Sequence, residues 1–187
     1  SRVILGFNVN VMVDAGPYLN ESDVKVISSN IIYQIIDDYG KWVEEEKKRI
    51  QLQGLEKLDR AAKFLLMPNH TFRQSGPAIM GIDITAGVLK SGTQLMKADG
   101  VPITRVKSMK KGEDSVNEAK AGTQLALAMD NVTVGSQIHE RDVMYTFISE
   151  DDFRKLKEYK DYISKDEKEV LKEIAEIMRN NNPTWGI

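Results

Sequence analysis

The chain of 187 residues contains no cysteine and only two histidines, His70 and His139. Without thiols there is no disulfide framework, no thiolate-bound zinc or iron–sulfur site and no cysteine nucleophile. Neither histidine has a second one four residues away, so both read as hydrogen-bonded or surface side chains, and no metal site is expected. No stretch approaches the roughly 20 apolar residues that a membrane helix needs. The opening residues lack the basic and small-residue signals of a secretory leader, so the expectation is a cytoplasmic, reducing location without membrane contact. An excess of one charge is missing too: 26 basic side chains face 28 acidic ones. Any nucleic-acid contact is then a local patch.

Nucleotide motifs are also absent. Around Gly87 and Gly92 the spacing of a phosphate loop occurs by chance, but no lysine follows the second glycine, and the stretch reads as a hairpin turn. There is no Gly-x-Gly-x-x-Gly and no Gly-x-Ser-x-Gly elbow. Ser75 or Ser136 paired in space with a histidine is the one hydrolase arrangement that spacing leaves open.

Four stretches of different period are present. Val3 to Val13 is apolar at every second position, and Val24–Ile27 is a second strand candidate after a Gly16-Pro17 turn. Two strands alone are marginal in water, so a larger sheet is expected around them. From Asn30 the period becomes helical, with Ile31, Ile32, Ile35, Ile36, Tyr39, Trp42 and Val43 on one face. Glu44–Glu46 then precede Lys47–Arg49, and these acid-to-base pairs support a solvated helix ending at Gln53, before Gly54. A helix apolar at its start and charged further on reads as a strut between domains.

Seven short strands follow: Lys63–Met67, Ala78–Leu89, Gln94–Met96, Ile103–Met109, Thr123–Met129, Val132–Ile138 and Val143–Ile148. Regular turn signals between them point to an antiparallel β-barrel. This segment alone is net positive, with ten basic against eight acidic side chains. Two helices close the chain, each announced by a capping-box spelling, Ser149/Asp152 and Ser164/Glu167. Their stripes are Phe153, Leu156, Tyr159, Ile163 and then Val170, Leu171, Ile174, Ile177, Met178. Arg105, Lys107, Lys110 and Lys111 form a basic cluster on a strand and its turn; a solvated charged hairpin and a phosphate-binding patch are both consistent with it.

Several runs carry a resemblance: Val3–Val9, Ser29–Tyr33, Trp42–Glu46, Phe72–Ile79 (FRQSGPAI), Glu118–Gly122, Val132–Ile138, Lys172–Ile177 and Asn182–Gly186 (NPTWG). Together and in order they resemble the C-terminal part of archaeal and eukaryotic translation initiation factor 2/5B, a ribosome-dependent GTPase. The resemblance implies that residues 1–29 end a third, α/β domain. It makes 30–60 the long connecting helix and 61–187 a fourth domain, an elongation-factor-type β-barrel with two added helices. It places GTP and magnesium in a first domain without counterpart in these residues, so the chain itself is expected to need no cofactor and to catalyse nothing.

The implied partners are the ribosome, the methionylated acceptor end of initiator tRNA and the acidic, apolar tail of initiation factor 1A; DNA is not among them. For tRNA the resemblance points to Arg73, Ser75, Lys107, Lys110, Gln124 and Leu125. For the factor 1A tail it leaves a groove among Phe153, Lys155, Tyr159, Lys168, Leu171, Lys172, Ile174, Met178 and Trp185. The reading set against it is a generic β-barrel interaction module with no RNA role.

Overall fold

The computed structural model describes residues 2–10, 12, 18 and 24–187, which divide into two compact units, Ser1–Gly54 and Leu55–Ile187. In the first, β1 (Arg2–Phe7) pairs in parallel with β2 (Val24–Ser29), in register from Arg2 against Val24 to Phe7 against Ser29. The expected strand stops short of Val13 because Asn8 turns into the left-handed region at φ 52°. Val11, Val13 and the Gly16-Pro17 turn lie outside the described residues.

Helix α1 (Ile32–Glu56) starts where the Ser29 hydroxyl accepts a hydrogen bond from the Ile31 amide. Of its apolar stripe Ile35 is buried, Trp42 and Val43 are half-buried, and Ile31, Ile32, Ile36 and Tyr39 stand exposed. The charged stretch is solvated as expected, with Arg49 forked onto Glu46 at 2.9 and 2.6 Å. The helix does not end before Gly54. It continues to Glu56, because one more turn buries Leu55, which offsets the roughly 1 kcal/mol cost of a helical glycine.

The second unit is a ring of six antiparallel strands. Its members are β3 (Ala62–Arg73), β4 (Ala78–Lys90), β5 (Gln94–Met96), β6 (Pro102–Lys111), β9 (Gln124–Met129) and β10 (Val143–Thr146). They pair in the order β3-β10-β5-β6-β9-β4, and β4 closes back on β3. Two short strands hang on its edges: β7 (Asp114–Val116) on β6 and β8 (Glu118–Lys120) on β4. The ring is irregular where β3 loses register between Leu66 and Thr71; Pro68 has no amide to donate there and Asn69 is left-handed at φ 60°. Phe64, Leu66, Met80, Ile82, Met109, Leu127 and Met129 fill the interior.

One expected strand is not formed. Val132–Ile138 carries a single bridge, Val134 to Ile138, and is otherwise a chain of turns: Gly135 sits at φ 87°, and the Ser136 and Gln137 amides both donate to the Thr133 carbonyl. Alternation of Val132, Val134 and Ile138 mimicked a strand, while the Gly-Ser pair in its middle set the backbone.

Helices α2 (Glu150–Glu158) and α3 (Lys165–Asn181), joined through a 3-10 turn at Lys160–Tyr162, lie on the ring over a second core. There Phe153, Leu156, Ile163, Val170, Leu171 and Ile174 cover Leu55, Leu58, Met96, Tyr145 and Ile148. Both serine caps form, but the acid of the second box is diverted. Ser164 accepts from the Glu167 amide, whereas the buried Glu167 carboxylate forks onto Arg60 at 2.6 and 2.5 Å.

Gly87 shares this junction: its amide donates to Asp166 at 2.7 Å, and the next amide, Val88, donates to the Ala61 carbonyl. At φ 79° a side chain here is strained, and a Cβ would overlap the Ala61 carbonyl oxygen. Gly87→Ala is therefore expected to destabilise the second unit by about 3 kcal/mol, measured by urea unfolding, while Gly92→Ala, a left-handed turn glycine with open space around it, costs about 1 kcal/mol. Equal losses at the two positions would contradict the junction.

Candidate functional site

Opposed residues in an antiparallel sheet share a face, and the registers of β6, β9, β4 and β3 therefore define one outer surface. Lys110 opposes Ala126, which opposes Gly81; Ser108 opposes Ala128, Ala128 opposes Ile79, and Ile79 opposes Arg73; Asp83 opposes Gln124. The other face of the same strands is the core. The result is a strip of small groups, Ala126, Ala128 and Gly81, with Lys110 on one side and Arg73 on the other. The His70 ring covers Gly81, where an added Cβ would lie 2.8 Å from the His70 Cβ. The exposed Phe72 precedes Arg73 at the end of β3 and stands 65% accessible. Lys107 is exposed at the β6 irregularity and ion-paired with Asp130 at 3.0 Å.

A groove of about 570 Å³ runs along α2 and α3. Phe153, Leu156, Ile163, Leu171 and Ala175 supply an apolar floor; Lys157, Lys160, Lys168, Lys172 and Arg179 with one acid, Glu176, stand around it. Positions 168, 171/172, 175/176 and 179 recur at three and four residues and make one side of α3. Such a surface suits an acidic, partly apolar segment.

The structure thus gathers Arg73, Lys110 and Gln124 on one exposed sheet face, with Ser75 in the turn that follows β3 and Lys107 at its margin. Leu125 is corrected: strand alternation sends it opposite to Gln124, into the ring interior, where it is 6% exposed. In the groove, Phe153, Lys168, Leu171 and Lys172 meet. Lys155 does not; two positions from Phe153 it projects elsewhere and pairs with Asp152. Ile174 is fully buried against the ring, Tyr159 and Met178 pack on the same core, and Trp185 is buried with its ring 4.6 Å from Phe153. Leu156, Lys157, Lys160, Ile163, Ala175 and Arg179 were missed, although counting threes and fours from Phe153 and Lys168 identifies most of them.

The profile of a family described as Elongation factor Tu domain 4 matches residues 60–145, and that of Translation-initiation factor 2 matches residues 1–40. Probable translation initiation factor IF-2 of Methanocella arvoryzae is 38% identical over 186 residues, 99% of this chain and 31% of the relative. The same-named protein of Thermoplasma volcanium is also 38% identical, covering 100% and 31%. The crystal structure of GDP-bound aIF5B from Aeropyrum pernix superposes with a TM-score of 0.71 at 35% identity, over 98% of this chain and 31% of that one.

The chain is related to the archaeal IF-2/5B initiation factors.

It spans about a third of the length of these relatives. The IF-2/5B likeness runs through both compact units and covers the sheet face and the groove alike. Among the described residues no cluster of histidine, aspartate and glutamate could hold a metal ion, and no helix is long and apolar enough to cross a membrane.

In the second unit the perturbed carboxylates sit at joints between elements. Burial alone would raise the Glu173 carboxyl, but hydrogen bonds from Lys63 (2.7 Å) and Tyr145 (2.8 Å) outweigh it and hold it below its ordinary 4.5. The Ser164 hydroxyl and the Gly87 amide lower Asp166. For Asp142, burial is outweighed by the Lys97 ammonium and the His139 amide, and its carboxyl too is lowered. Lys63 is raised, chiefly by its bond to Glu173.

Folded-state values below the unfolded ones mean that these carboxylates contribute stability above about pH 4.5, lost as pH falls through the folded values; the Lys63 contribution is present below 10.5 and lost as pH rises through its folded value. Urea midpoints are accordingly expected to fall between about pH 5 and 3, and less steeply in Glu173→Gln. An unchanged acid slope in that variant would contradict the assignment.

Proposed function

We propose that this chain is the non-catalytic, tRNA- and factor-binding end of an initiation factor, 1–29 ending an α/β domain, 30–60 forming the connecting helix and 61–187 the fourth domain. The parent protein is read as a ribosome-dependent GTPase acting in the cytoplasm at subunit joining, with GTP and magnesium held outside these residues. The observation that carries this reading is the outer sheet face, on which Arg73 of the FRQSGPAI run, Lys110 of the basic cluster and Gln124 stand together.

The chemistry fits an acceptor end. Arg73, Lys110 and Lys107 offer charge to phosphates, Gln124 and Ser75 offer donors and acceptors, and Phe72 offers a plane for a base or for the methionine thioether. Few phosphate contacts give weak, salt-sensitive binding, so selectivity rests on the terminal groups. The groove is assigned to the acidic, apolar tail of initiation factor 1A. Its basic surround and apolar floor support this over a surface indifferent to charge.

In a gel-shift assay at low salt, methionylated initiator tRNA is expected to bind better than the uncharged form. Arg73→Ala with Lys110→Ala should weaken binding about tenfold and reduce the salt slope by about two. Equal or absent binding of both tRNA forms would favour the generic barrel module instead.

Titrating the factor 1A tail should change Trp185 fluorescence, because that ring lies 4.6 Å from the ring of Phe153, which lines the groove. No change at millimolar peptide would remove the groove assignment.

A further inference from the structure

The outer sheet face carries a carboxylate as well as its cations. In β4, Ile79, Gly81 and Asp83 share the outward side, and Asp83 opposes Gln124 on β9 and Leu65 on β3. The Gln124 side-chain amide donates to Asp83 Oδ2 at 3.2 Å. An ionised carboxylate only accepts, so the nitrogen end of Gln124 is turned toward Asp83 and its carbonyl oxygen remains an acceptor. Among the described residues Asp83 Oδ1 accepts no hydrogen bond, and Asp83 joins no ion pair.

The acids at the margins of this face differ. Asp130 is ion-paired with Lys107, and Glu140 accepts from Thr71. Asp83 is half-buried with no cation against it. With strands about 4.8 Å apart and a rise of about 3.4 Å per residue, the Cα atoms of Asp83 and Lys110 are about 12 Å apart, on a diagonal across the sheet. Between them runs the row Lys110–Ala126–Gly81, which offers only the Ala126 methyl and the His70 ring laid over Gly81. A carboxylate repels nucleic-acid phosphates, so at this place it weakens binding unless a cation of the ligand meets it.

We propose that Asp83, together with the Gln124 carbonyl oxygen, receives the α-ammonium of the amino acid esterified to the tRNA end, and so selects a free amine over a blocked one. The inference rests on the face being an aminoacyl-tRNA site and adds the group that reads the amine. A methionyl ester carries a single cation, its α-ammonium, with three N–H donors, while its thioether is neutral and the nucleotides bring negative charge. Asp83 Oδ1 and Gln124 Oε1 supply two acceptors for that group, one of them charged. The row toward Lys110 then holds the ester, and Lys110 meets the terminal phosphate.

The test presents the 187-residue chain with three forms of initiator tRNA, methionylated, N-acetyl-methionylated and uncharged, in a gel shift at low salt and about pH 6, where the amine is protonated. The methionylated form is expected to bind about fivefold more tightly than the N-acetylated one, the effect of one partly exposed charge pair. Asp83→Asn should bring these two within about twofold by weakening the methionylated form, and should leave uncharged tRNA bound as well or better, since a charge facing phosphates is gone. Asp83→Glu keeps part of the preference.

If the wild-type chain prefers methionylated to uncharged tRNA but is indifferent to N-acetylation, the sheet face stands as a tRNA site and the Asp83 assignment falls, without any variant having to fold. A free-amine preference that persists in Asp83→Asn is steric, because acetylation also adds bulk, and it overturns the proposal as well. Gln124→Ala, at an exposed position, is the second variant and is expected to cut the preference about twofold; should Asp83→Asn not fold, an undiminished preference in Gln124→Ala overturns the proposal. Equal binding of methionylated and uncharged tRNA removes the tRNA reading of the face and this inference together.

Discussion

Arg60 and Glu167 are 107 positions apart, and their forked, buried pair is the constraint on which the second unit depends. Removing one partner of such a pair costs about 3–5 kcal/mol, because the other charge is left without compensation. Around it Thr93 holds Asp59, Thr146 holds the Ala62 amide, Asp166 holds the Gly87 amide, and Lys90 holds the Glu56 and Leu58 carbonyls. The first strand of the ring, the middle of β4 and the first turn of α3 are thereby fixed to one another. Gly87 is the point where backbone meets backbone too closely for any side chain.

Both candidate binding surfaces hang from that joint. The sheet face takes its character from strict alternation: the residues that fill the ring, Met80, Ile82, Leu127 and Met129, determine that Ile79, Gly81, Ala126 and Ala128 face out. The groove takes its character from α2 and α3 lying on the ring with their most apolar sides down. Lys63, Tyr145 and Glu173 tie α3 to β3 and β10 partway along, so the helix keeps its orientation beyond its capped end. The sheet face and the groove are then parts of one compact unit.

Much of this was legible in the residues. The ring strands, both C-terminal helices, their serine caps and the net positive charge of the barrel segment followed from period and spelling. Val132–Ile138 did not, since its alternation matched a strand while Gly135 and Ser136 dictated turns. Helix α1 overran Gly54 because the reward for burying Leu55 is tertiary and invisible locally. The site was half legible. Arg73 of the FRQSGPAI run, Lys110 of the basic cluster and Gln124 came out on one face, but Leu125, next to Gln124, had to face inward. Ile174 and Trp185 looked like groove residues because apolar stripes do not say which side meets the core. The diversion of Glu167 from its capping box to Arg60 needed the fold itself.

Native-state hydrogen exchange tests the central claim, that the helices and the ring are one cooperative unit held at the Arg60–Glu167 joint. The amides of Gly87 and Val88 in β4 and of Val170–Ala175 in α3 are predicted to open with the same free energy in the wild-type chain, and Glu167→Gln is predicted to let α3 open first. If α3 already exchanges independently of Gly87 and Val88 in the wild-type chain, or if Glu167→Gln leaves both sets coupled and equally protected, the account is contradicted.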